Sequence, residues 1–336
     1  MRIKTYTIRG NIILLIAMIA LLISWPVMIH NDYYLLVGIM VLFQIILAVS
    51  VFPLIRMGLL FVAQGGFLAI GAYTTALLVT RAGFNTWLAM LISGIVAAIA
   101  SILIIYPSLR AKGLYFLLVT LSLNQVITIG ISNWSWAGGP AGILYIPPPN
   151  SIPLPWGATI EFSSVADFYY LVLALASLIV FILYRLWKGY LGKLIKAINT
   201  AEDLASSLGV PTLRYKMLIV IICCFVCGIM GSFSALFYGL ASPGQFGLFT
   251  SFYPIVFGIV GGIGYFAGPI VGTIFLVTLP EFFRFTLEYQ PLIYATAVIL
   301  VMLLFRGGLI GLFAKLVELA QTKSKGKFFM NNLKEN

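Results

Sequence analysis

Residues 217–280 contain no Asp, Glu, Lys or Arg. A domain that folds in water has roughly a quarter of its residues charged, whereas this chain is 9% charged and 62% hydrophobic. Such runs belong in a bilayer, where one span takes roughly 20 apolar residues. Residues 12–29 and 171–183 are apolar on every side, which excludes the alternating strands of a membrane barrel and leaves helices. Cys223, Cys224 and Cys227 all fall inside one apolar run. That reads as core filling, neither a disulfide framework nor a metal site.

Apolar runs between charged or turn-rich breaks place spans at residues 12–29, 34–54, 65–80, 87–106, 115–131 and 168–185. Further on come 217–239, a glycine-interrupted region 252–280, and 291–305. Counted as one span, the interrupted region gives nine crossings. Arg2, Lys4 and Arg9 then lie opposite Lys315, Lys323, Lys325, Lys327 and Lys334, against the positive-inside rule. Residues 261–269 read as a turn between two short segments give ten crossings instead. Eighteen of the 20 Lys and Arg then lie inside, with only Arg81 and Arg284 outside. The expected fold is therefore an all-α polytopic membrane protein with about ten transmembrane segments and both termini cytoplasmic.

The basic N-terminal run lacks a small-residue cleavage site and is read as a retained first helix. The net charge of +11 is accounted for by cytoplasmic loops and a Lys-rich tail facing anionic lipid, with no need for nucleic acid. Residues 1–308 form the permease domain in this reading, and 309–336 an amphipathic, Lys-rich cytoplasmic tail.

The one long polar segment between spans, residues 188–216, is the most informative. Thr200 precedes Asp203 by three residues, the spacing of a capping box. Glu202 and Asp203 complement the helix dipole, and Gly209 and Pro211 supply a stop. The spacing predicts a helix over residues 201–208, about 12 Å long. So short a helix needs a surface to lie on. Leu204, Ala205 and Leu208 share a face that would hold it either to its own membrane domain or to a partner.

Amides inside spans are expensive and mark paths or helix joints. Gln44, Gln64, Asn124 and Gln125 are the candidates, and Asn124 and Gln125 face different directions. Gly65, Gly66, Gly261 and Gly262 either allow close helix packing or permit broken helices beside a path. Blocks 34–131 and 217–305 are of similar size, compatible with an inverted repeat. No phosphate-binding glycine loop occurs, so any ATP must be hydrolysed elsewhere. The single histidine, His30, lies at an outer helix end.

Residues 189–210 resemble the cytoplasmic coupling loop of ATP-binding-cassette importer permeases, and more narrowly the branched-chain amino acid permease family of the LivM type. Leu109-Arg110-Ala111-Lys112-Gly113-Leu114-Tyr115-Phe116 with Val119-Thr120-Leu121 is similar to that family's fifth-span segment. Gly138-Gly139-Pro140-Ala141-Gly142-Ile143, Gly71-Ala72-Tyr73 and Gly261-Gly262-Ile263-Gly264 with Gly268-Pro269 and Gly272 resemble its other motifs. The resemblance covers about residues 65–272. Departures are Ser206 and Gln125, where the family has acids, and residues 63–69, where its small polar residues are missing.

The resemblance implies a type II importer permease that is not an enzyme and binds no cofactor itself. Two cytoplasmic ATP-binding subunits would use ATP, docking on Thr200, Ala201, Glu202, Asp203, Leu204, Ala205, Leu208 and Gly209. A sister LivH-type permease would complete a path for leucine, isoleucine or valine, lined here by Gln64, Gly65, Gly66, Asn124, Gln125, Gly261 and Gly262. Loop 132–167, with Trp134, Trp136, Gly138, Gly139 and Pro140, would receive an extracytoplasmic substrate-binding protein, an interfacial aromatic belt being the competing explanation. Permeases for urea or short amides share the same look. The residues alone also leave an ion-coupled secondary transporter open, disfavoured by the shortage of intramembrane acids.

Overall fold

The computed structural model describes residues 31–311 except 112, 154–158, 284–289 and 305–306. The expected first span at 12–29, His30, Arg284 and all but the first residues of the tail lie outside the described residues.

Eleven α-helices carry the described chain. They are α1 (Asp32–Arg56), α2 (Gln64–Thr80), α3 (Thr86–Ile105), α4 (Leu114–Ser132), α5 (Val165–Lys188) and α6 (Tyr190–Thr200). The remainder are α7 (Glu202–Ser207), α8 (Thr212–Tyr238), α9 (Leu248–Gly261), α10 (Gly268–Phe282) and α11 (Gln290–Leu304). Six stretches are long and apolar enough to cross a membrane: α1, α3, α4, α5, α8 and Pro243–Gly261, which contains α9. Helix α2 has 17 residues, and α10 and α11 have 15 each.

Helices α1 and α8 are the most enclosed, with 61% and 72% of their apolar windows buried. Helix α4 is only 22% buried and turns one narrow stripe inward, Phe116, Thr120, Asn124 and Thr128 at four-residue spacing. The α2–α3 hairpin packs against α8, while the α9–α10 hairpin packs against α1. Each half of the chain thus lays its hairpin on the leading helix of the other half.

Side-chain-free contacts let the backbones close in. A Cβ on Gly71 would lie 2.2 Å from the Gly228 carbonyl oxygen, so no larger residue fits between α2 and α8.

The turn expected at residues 261–269 is present. Helix α9 stops at Gly261, Gly262 takes φ +117°, and α10 starts at Gly268. The first of the two segments, read as 252–260 from the sequence, is longer: it begins at Leu248 behind a 3-10 turn capped by Ser242 and Gln245.

Four two-residue strands depart from the all-helical expectation. The β1 strand (Ile143–Leu144) pairs with β4 (Leu240–Ala241), and β2 (Ile152–Pro153) with β3 (Thr159–Ile160). The first pair pins the 132–167 loop to the segment that follows α8, and the second folds the loop on itself.

Segment 188–216 needs a correction. Instead of one helix in a polar loop it holds two, because residues 190–200 form α6, with Leu194, Ile195 and Ile198 buried.

Candidate functional site

Arg56, Arg110, Lys188 and Arg214 all sit at one end of the bundle, since α1 and α5 finish there and α8 starts there. Helices α6 and α7 lie across this basic end. Helix α6 buries one stripe, packs on α5 and α1, and leaves its lysines outward. Helix α7 follows after the single residue Ala201.

The capping box expected at Thr200 is not formed. The Thr200 hydroxyl donates instead to the Lys196 carbonyl at 2.9 Å, because Thr200 is the last residue of α6, and Ala201 caps α7 with no side-chain bond. The helical stretch is Glu202–Ser207 rather than 201–208. Gly209 ends it in the left-handed region at φ +84°.

Of the expected apolar face, Ala205 alone is buried; Leu204 is 62% and Leu208 77% exposed. Glu202 reaches the base of α8, where its Oε1 accepts from Lys216 Nζ at 2.5 Å. The Lys216 side chain is 4% exposed.

The expected path residues divide. Gln64 is fully buried; its Nε2 donates to the Leu47 carbonyl and Ser50 hydroxyl, both at 3.2 Å, beside Cys223 and Cys227. It joins α1, α2 and α8. Residues 58–63 run irregularly through the interior before α2 starts at Gln64, as such backbone can only where protein surrounds it. The freed N–H groups are satisfied inside the chain: Val62 donates to Thr120 Oγ1, Gly65 to Ser251 Oγ and Gly66 to Asn124 Oδ1. Ser251 Oγ donates to the same Asn124 oxygen at 3.2 Å. Asn124 is fully buried, whereas Gln125 faces outward beside exposed Ser122. Gly261 and Gly262 form the α9–α10 reversal at the basic end, where a Cβ on Gly261 would meet the Gly268 carbonyl oxygen at 1.8 Å.

At the opposite end Trp134 and Trp136 are half exposed with rings 5.5 Å apart, and the Arg81 guanidinium lies 4.5 Å from the Trp136 ring. Gly138 and Gly139 take positive φ; Gly139 is buried and Pro140 exposed. Asn150 fixes the loop to α3, accepting from the Thr86 hydroxyl and, through its carbonyl, from the Trp87 indole.

A cavity of about 700 Å³ lies between α1, α8, α9, α10 and α11, with Gln44, Ser234, Thr250, Tyr253, Glu281 and Tyr294 among its walls. Gln44 was legible as an intramembrane amide. Glu281 and Tyr294 were not, because an acid or a tyrosine near a span end reads as an interface residue. Among the described residues no cluster of His, Cys, Asp and Glu could hold a metal ion.

A family model described as branched-chain amino acid transport system / permease component matches residues 33–306. Two curated relatives are the high-affinity branched-chain amino acid transport system permease proteins LivM of Escherichia coli K12 and of Salmonella typhimurium. Each is 30% identical over 332 residues, covering 93% of this chain and 78% of the relative. No solved structure matches the chain.

Proposed function

Since the chain belongs to the branched-chain amino acid transport permease family, we propose that it forms half of the membrane path of an ATP-binding-cassette importer. A sister permease supplies the other half, two cytoplasmic subunits bind and hydrolyse ATP, and an extracytoplasmic protein delivers leucine, isoleucine or valine. In this reading the protein is a multi-pass component of a prokaryotic cell membrane. It crosses ten times, with both termini and the basic end in the cytoplasm, as an inverted repeat whose halves exchange hairpins. It performs no chemistry of its own.

The single observation that carries the reading is the outward face of α4. Tyr115, Leu118, Ser122, Gln125, Val126 and Ile129 are exposed on a helix whose opposite stripe is buried. An amide near the middle of a span is not left against lipid; it meets another helix or water. A path bordered by an apolar wall with isolated amides suits a zwitterion with an aliphatic side chain. Exposed Leu204 on α7 and Leu208 just past its end give the ATP-binding subunits an apolar grip, and the tryptophan pair beside Arg81 lies where a delivering protein would land.

The test is uptake of labelled leucine by proteoliposomes holding all the subunits. ATP-dependent uptake that falls in Gln125→Leu is expected. Uptake driven by an ion gradient and indifferent to ATP would overturn the reading.

A further inference from the structure

The contact between Glu202 and Lys216 has more to it than helix capping. An exposed helix N-terminus is served by any carboxylate in its first turn. Glu202 instead spends its charge on an ammonium that is almost wholly removed from solvent. Lys216 lies in the second turn of α8, the most enclosed of the six long spans. Apart from this pair, α7 has only Ala205 buried among its six residues. So short a helix needs anchoring to its own protein, and the carboxylate–ammonium bond supplies a directed anchor, from the docking helix into the central helix.

We infer that Glu202–Lys216 is the strut that carries movement of the ATP-binding subunits from α7 into α8, so that both are positioning residues for coupling rather than contacts to a partner. The inference rests on the docking reading above. Lys216 is buried and Glu202 30% exposed, so the pair resists separation because the ammonium left alone in the interior is strongly disfavoured. Displacement of α7 therefore drags the base of α8 with it. Movement of α8 displaces the α2–α3 hairpin packed on it, and with it Gly66, which is bonded to Asn124 of the path helix α4.

The test uses the assembled transporter and reads leucine transported per ATP hydrolysed, basal ATPase rate and copurification of the ATP-binding subunits. K216M should retain those subunits and basal hydrolysis while transport per ATP falls about tenfold, and the neutral pair E202Q/K216M should show the same fall in transport per ATP. The neutral pair removes the stranded charge, so poor folding cannot account for its loss. The exchanged pair E202K/K216E should recover most of the coupling. Wild-type coupling in E202Q/K216M would overturn the strut alone. Undiminished copurification in Leu204→Asp/Leu208→Asp would remove the docking helix, and the strut with it.

Discussion

The Asn124 side-chain carbonyl accepts the backbone N–H of Gly66 at 2.5 Å and also the Ser251 hydroxyl. One oxygen on α4 thereby holds the first turns of both α2 and α9.

Asn124→Ala strands the Gly66 N–H and costs about 1–3 kcal/mol of stability. A lowered midpoint of thermal unfolding in detergent is the expected result. Ser251→Ala, which frees the Gly65 N–H, should produce a loss of similar size. The double variant should fall short of the sum, because the three groups share one network.

Gly71→Ala pushes a methyl group to 2.2 Å from the Gly228 carbonyl oxygen, with backbone on that side and nothing flexible to yield. The α2–α8 contact must open, at a cost of about 1–3 kcal/mol or more. Gly264→Ala and Gly130→Ala, with nothing within 4 Å of the new Cβ, should purify at wild-type yield. Size-exclusion profiles of the three proteins decide the matter.

Cys223, Cys224 and Cys227 are free and have no exposed surface. Maleimide should leave the folded protein unlabelled and modify all three thiols after denaturation. Gln125→Cys in this silent background should react in the isolated permease, and Gln64→Cys should not. Mass spectrometry counts the adducts.

Arg81 over Trp136 orders an aromatic pair at the end of the bundle opposite α7. Trp136→Ala removes half of that platform without touching α7. Basal ATPase activity should be unchanged, while the binding-protein concentration needed for half-maximal stimulation rises about tenfold, the loss of one mid-sized aromatic contact.

The charge-free run 217–280 made helices inevitable, and Gly261-Gly262 made the reversal between α9 and α10 readable, since the glycines sit where the apolar run is too long for one span and too short for two full ones. Thr200 shows the limit of local spacing. Threonine three residues before an acid fits a capping box, but the same threonine can end a preceding helix by bonding back to Lys196. Which occurs depends on whether residues 190–200 fold onto α5. Their stripe of Leu191, Leu194, Ile195 and Ile198 was visible in the sequence and was obscured by the lysines between them. Gln64, Asn124 and Gln125 look alike as amides in apolar runs. Gln64 Nε2 and Asn124 Oδ1 are bonded inside the protein, to Ser50 and Gly66 among others, and Gln125 faces outward, a distinction that only tertiary packing creates.

The exchanged hairpins also set an order of manufacture. While α1 to α5 leave the ribosome and enter the bilayer, α8 does not yet exist, so the α2–α3 hairpin waits with Gly71 turned toward lipid. The hairpin reaches its final seat only when α8, residues 212–238, has been synthesised and packed against it, and until then the half-made chain leaves that glycine face uncovered.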